Sequence, residues 1–209
     1  ARENTRKALF DAMMNKETYA TTGSRMLVRF FGGWDFTQAD AQNRLPGKVG
    51  YDKGVPMGGD LTKGPAGKAP SFLIAALRDP LSGNLDRIQI VKVWVDAAGE
   101  RHEKVFDAVW SGDRKPGTDG TLPKVGNTVD VANATWTNTI GSPELIAVWT
   151  DPEFDPGLGA AYYARVLEIP TPRWTAYEAQ RFGITMKEEI PMVTVERAYT
   201  SPIWYTPGN

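Results

Sequence analysis

A mainly β fold, an antiparallel β-sandwich preceded by a short helix, is what this sequence predicts. Three observations lead there: runs rich in Val, Ile, Phe, Trp and Tyr alternate with period two, turn-rich segments separate them, and helical periodicity is nearly absent between them. At 209 residues, with 41% hydrophobic and 11% aromatic residues, the chain has enough apolar surface for a real core.

The first element is the exception. Residues 4–15 read as a helix capped by Asn4 or Thr5, with Leu9, Ala12 and Met13 on one face. That face has no obvious partner in the sequence that follows, so the helix is expected to be left over from an upstream domain. A short extended run with a glycine turn covers residues 17–25, and 26–31 form an apolar strand. Residues 32–70, dense in Gly, Pro, Asp and Lys, are expected to be a long loop, either functional or covering a sheet edge.

Strands follow at 71–77 and 87–95, the latter with Ile88, Ile90, Lys92 and Trp94 on one phase. A turn at 96–101 returns the chain as a strand over 102–110. Further strands are predicted at 128–138, 144–149 and 162–169. One or two helical turns are expected at 175–181, and the tail 198–205 reads as a final edge strand broken by Pro202. The expected division is therefore 1–25, the end of an upstream hydrolase-like domain, and 26–209, a β-sandwich accessory domain.

Composition narrows the function. Lys plus Arg number 24 and Asp plus Glu 25, so no net field concentrates nucleic acid or anionic lipid. No stretch approaches the ~20 apolar residues of a membrane span. The absence of cysteine excludes disulfides, thiolate zinc sites and a cysteine nucleophile. The single histidine, His102, sits beside a hairpin turn next to Glu100 and Glu103, without convergent partners for a metal or acid–base pair. The acidic residues are scattered through loops, Gly32-Gly33 and Gly58-Gly59 lack the residues of a phosphate loop, and most of the seven Trp fall on the apolar phase of strands. No catalytic residue and no metal ligand set is therefore assigned. Trp136, Trp174 and Trp204 are the aromatics open to a ligand role, which would suit a carbohydrate-binding or cell-surface interaction module.

One constellation stands out. Tyr19, Thr21, Thr22, Gly23 and Arg25 place hydroxyls, turn amides and a guanidinium within seven positions, a set that can converge on a small anionic substrate. A tight turn with local caps and an Arg–carboxylate pair accounts for the same residues.

The wording of the chain is also familiar. Glu3-Asn4-Thr5-Arg6-Lys7-Ala8-Leu9-Phe10-Asp11-Ala12, Glu17-Thr18-Tyr19-Ala20-Thr21-Thr22-Gly23-Ser24-Arg25, Arg29-Phe30-Phe31-Gly32-Gly33-Trp34 and Ser201-Pro202-Ile203-Trp204 resemble the C-terminal third of the bacterial domain of unknown function 3604 family. So do Asp130-Val131-Ala132-Asn133-Ala134-Thr135-Trp136-Thr137-Asn138 and Tyr162-Tyr163-Ala164-Arg165-Val166. The resemblance implies a longer, exported protein, periplasmic or secreted. Its N-terminal part resembles metal-dependent phosphoesterases of the polymerase and histidinol phosphatase type. On that basis the divalent metal belongs to the missing N-terminal domain, which is this chain's expected partner, and residues 19–25 come near the metal mouth.

Overall fold

The structure, a computed structural model, describes residues 1, 3–62 and 64–208. The protein is mainly β, with 35% of residues in strands and 14% in helices. Helix is thus far below the third of residues usual in globular domains.

The leading helix α1 spans Arg6–Met14, and the Thr5 hydroxyl accepts from the Ala8 amide at its start. Strands β1 (Tyr19–Thr21) and β2 (Leu27–Gly33) follow. Residues 32–70 then depart from the expected loop. They carry a 3-10 turn at Asp40–Gln42, helix α2 (Pro46–Lys53) and strands β3 (Gly54–Pro56) and β4 (Asp60–Leu61). Local periodicity could not reveal them, because they are held from outside. Lys53 reaches the buried Asp40 at 2.7 Å, and Tyr51 of α2 packs edge-on against Phe31 of β2 at 5.0 Å. The helical part of the segment covers a sheet face, while β3 pairs along the edge of β2 and β4 along the edge of the tail strand Ile203–Tyr205. Phe31, Phe36, Leu73 and Val148 form a small second core beneath the helical part, with Val49 of α2 packed against them.

The central strands are β5 (Ser71–Leu77), β6 (Leu85–Val95), β7 (Arg101–Trp110), β8 (Glu144–Thr150) and β9 (Ala160–Glu168). After them come β10 (Thr171–Pro172), α3 (Trp174–Phe182), β11 (Val193–Thr194), β12 (Arg197–Thr200) and β13 (Ile203–Tyr205). No strand forms over 128–138, contrary to the alternation there. The Asp130 carboxylate accepts from the Asn133 amide and side chain, Ala134 turns left-handed at φ 50°, and Asp130 and Thr135 close a tight loop as an isolated bridge. Local side-chain bonding outcompetes the ladder.

Two sheets share the main core. The smaller runs β3-β2-β5-β8; the larger runs β1-β12-β9-β13-β4, with β6 on the other edge of β9 and β7 beyond it. Every pairing is antiparallel except β13 with β4. Phe30, Phe72 and Ile74 from the smaller sheet pack in one cluster with Ile88, Ile90, Tyr162 and Val166 from the larger. The tail is not an edge. β12 pairs with the second half of β9 and β13 with its first half, while β1 and β4 flank them on the outside. The register slips by one residue across Ser201-Pro202, where a proline costs no ladder bond.

A polar cluster lies inside this core. Lys92 and Asp151 form an ion pair at 2.6 Å, each nearly inaccessible. Tyr162 donates to Asp151 at 2.7 Å, and Lys92 also donates to the Glu153 carbonyl at 2.7 Å. Burial and the Asp151 charge push the Tyr162 phenol far above its ordinary range. The group ties β6, β9 and the end of β8 together.

Candidate functional site

The segment 19–25 leaves α1, pairs along β12 and ends at the turn after β5. α1 closes through Glu17 N–H to the Ala12 carbonyl, with Lys16 left-handed at φ 58°. Gly58 is what lets this corner seat on the body. It holds φ 85°, and a Cβ there would come 2.3 Å from the Lys16 carbonyl oxygen.

The structure uses most of the segment's donors internally. The Tyr19 hydroxyl donates to the Met26 carbonyl at 3.1 Å, closing the loop on itself. The Thr22 amide donates to the Arg197 carbonyl at 2.9 Å, and its hydroxyl accepts from Arg197 N–H at 3.0 Å and donates to the Glu196 carboxylate. Gly23 lies against that same carboxylate, so close that a Cβ would meet Glu196 Oε2 at 3.0 Å. The Arg25 amide donates to Asp79 Oδ2 at 2.7 Å. Backbone N–H groups of Leu81 and Arg25 hold the Asp79 carboxyl below its usual range. Thr21 stands in β1 opposite Ala198. The group left open is the Arg25 guanidinium, exposed and without a hydrogen bond or ion pair among the described residues.

Behind this turn sits a carboxyl that the sequence reading passed over. Glu168 is fully buried at the end of β9, accepts from Ser82 Oγ at 2.5 Å, and leaves Oε1 without a partner among the described residues. Burial raises its pKa most; the Ser24 and Ser82 hydroxyls oppose the shift and the Glu196 charge adds to it. The buried Ser24 Oγ itself stays outside hydrogen-bond geometry. A Glu on the apolar phase of 162, 164, 166 and 168 was the available signal.

This arrangement predicts a pH effect. A buried acid with a raised pKa favours folding fully below its unfolded pKa, and that contribution is lost as pH rises through the folded value. Glu168→Gln is therefore expected to be more stable than the parent at pH 7 by about 1 kcal/mol, the scale of one unsatisfied buried polar atom. The difference should vanish near pH 4. Urea unfolding across that range decides it, and an equal offset at both ends would rule the titration out.

Among the described residues no three His, Asp or Glu come together to hold a metal ion, and no helix is long and apolar enough to cross a membrane. His102 is held by Asp96 at 2.8 Å and stacks on Trp94 at 5.1 Å. Trp174 and Trp204 are the exposed tryptophans. Trp204 stands beside Ala161 at the start of β9, whereas Trp174 follows the far end of that strand, so they form no row. Trp136 is half-buried.

The model of the family described as "Protein of unknown function (DUF3604)" matches residues 1–207. The chain belongs to this family. Comparison with curated proteins and with solved structures finds no match. Within the DUF3604 family the matched span covers both the leading helix and the two sheets, so α1 and segment 19–25 are as much part of the family pattern as the core.

Proposed function

We propose that this DUF3604 chain is the accessory β-sandwich part of an exported metal-dependent hydrolase, with segment 19–25 on its substrate side. The observation that carries the reading is the outer face of α1. Leu9, Phe10, Met13 and Met14 are 45–66% exposed on one side of a nine-residue helix, a patch that a neighbouring domain would cover. Segment 19–25 leaves that helix directly, and its Arg25 guanidinium is uncommitted, able to offer two parallel donors to an anionic substrate oxygen. A divalent metal would belong to the neighbouring domain.

The test compares this chain with the protein extended upstream of Ala1 in its own gene. After dialysis the chain alone should retain no stoichiometric zinc, manganese or iron, and should not hydrolyse p-nitrophenyl phosphate. The extended protein should hold about one metal equivalent or more. One equivalent on the chain alone, or none on the extended protein, overturns the reading. In the extended protein Arg25→Lys should lower turnover of an anionic ester about tenfold with an unchanged melting temperature. Unfolding with full activity of the folded remainder would make Arg25 structural.

A further inference from the structure

The outer face of the larger sheet carries a second group of cations. Strand register sets its layout. Ala20, Tyr199, Arg165, Gln89 and Asp107 stand in one line across β1, β12, β9, β6 and β7, and Arg197, Leu167 and Arg87 stand in the next. Side chains alternate along each strand, so these residues face away from Ala198, Val166, Ala164, Ile88 and Ile90, which are all buried.

On this face the carboxylates are spent on one side only. Asp86 and Asp107 hold Arg87 at 3.1 and 3.2 Å, Gln89 donates to Asp107 at 2.8 Å, and Arg165 Nε donates to the Gln89 carbonyl at 2.9 Å. That chain of bonds fixes the Arg165 guanidinium and leaves its two terminal nitrogens without a carboxylate. Arg197, exposed one row away, forms no ion pair among the described residues, and its neighbour Glu196 is turned to Thr22 and Gly23. Tyr199 lies between the two. Hydrogen bonding from Arg197, then the charges of Arg197 and Arg165, hold its phenol below the ordinary tyrosine range. Tyr163, with Glu103 near it, and Arg101 at the end of β7 also carry titratable or charged groups on this face, and Ala20 stands opposite Tyr199 on the β1 side.

We propose that Arg165, Arg197 and Tyr199 form an oxyanion-binding site, for phosphate or sulfate either free or as an ester. Two guanidiniums and one phenol O–H supply a donor to each of three oxygens of a tetrahedral anion, and the Asp86–Arg87–Asp107–Gln89 chain holds the first guanidinium in place beforehand. The site stands independently of the hydrolase reading.

Tyrosine ionisation followed at 295 nm on this chain tests it, with sodium sulfate against sodium chloride at matched ionic strength. A bound dianion opposes formation of the phenolate, so sulfate is expected to raise the lowest tyrosine step saturably, by about half a unit or more. Tyr199→Phe should lack that step. Arg165→Gln and Arg197→Gln, with unchanged circular dichroism, should each weaken sulfate binding at pH 7 about tenfold. Comparing phenyl phosphate with inorganic phosphate separates the sources: tighter ester binding assigns the site to esters, equal binding to the free ion. If chloride reproduces the shift, or Arg197→Gln binds sulfate as the parent does, the three residues are a structural cluster and the proposal fails.

Discussion

Asp151→Asn is expected to lower the unfolding free energy by about 3–5 kcal/mol, because it leaves the Lys92 ammonium charged and buried without its counter-ion. The replacement keeps an acceptor for the Tyr162 hydroxyl, so the loss reports the ion pair rather than the hydrogen bond. Removing both charges should undo most of it. Lys92→Met combined with Asp151→Asn leaves no uncompensated ion, and is expected to come within about 1–2 kcal/mol of the parent. Urea denaturation of the three variants makes the comparison. A single-variant loss under about 1 kcal/mol would mean that water reaches Lys92 in solution.

Phe72→Ala is expected to cost about 3–5 kcal/mol, since the ring is wholly buried and the cavity it leaves can collapse only in part. Its neighbours explain why the site is sensitive. Phe72 stacks on Phe30 at 5.5 Å within its own sheet and meets Tyr162 of the opposite sheet at 4.6 Å. Phe72→Leu, closer in volume, should cost less than about 1.5 kcal/mol. Both variants should still unfold in one transition. Two separate transitions would show that the sheets do not share a core, contrary to the packing of Phe72 on Tyr162.

Phe72 and Tyr162 also show which parts of the fold the sequence makes legible. Strands 71–77, 87–95, 102–110, 144–149 and 162–169 reappear within a few residues as β5 to β9, because runs of apolar, β-branched and aromatic residues bounded by turns mark them; β9 buries one phase of a period-two pattern, whereas β5 is buried on both faces. The leading helix was readable from composition and spacing, with its cap narrowed to Asn4 or Thr5; of the predicted face Leu9 and Met13 are exposed, whereas Ala12 is buried. Lys92 and Glu168 were visible in the same patterns, as charged residues on an apolar phase, though their partners were not.

The candidate site was legible only as a list of residues. Tyr19, Thr22 and Arg25 are where the sequence puts them, yet the Tyr19 and Thr22 hydroxyls and the Arg25 amide are taken by Met26, Glu196 and Asp79, the last two lying 174 and 54 positions away. No local pattern encodes such pairings.

By itself, then, the sequence determined the strands that fill the core, a leading helix capped at Asn4 or Thr5, the absence of thiols and a net charge of only −1. The tertiary structure decided the rest: that 34–53 folds over a sheet, that 128–138 is a turn, that the tail runs inside the larger sheet, and that Arg165, Arg197 and Tyr199 meet on one face. The physical reason is range. Periodicity and caps act within one or two turns of the chain, whereas sheet register and the satisfaction of buried polar groups depend on contacts between strands far apart in sequence.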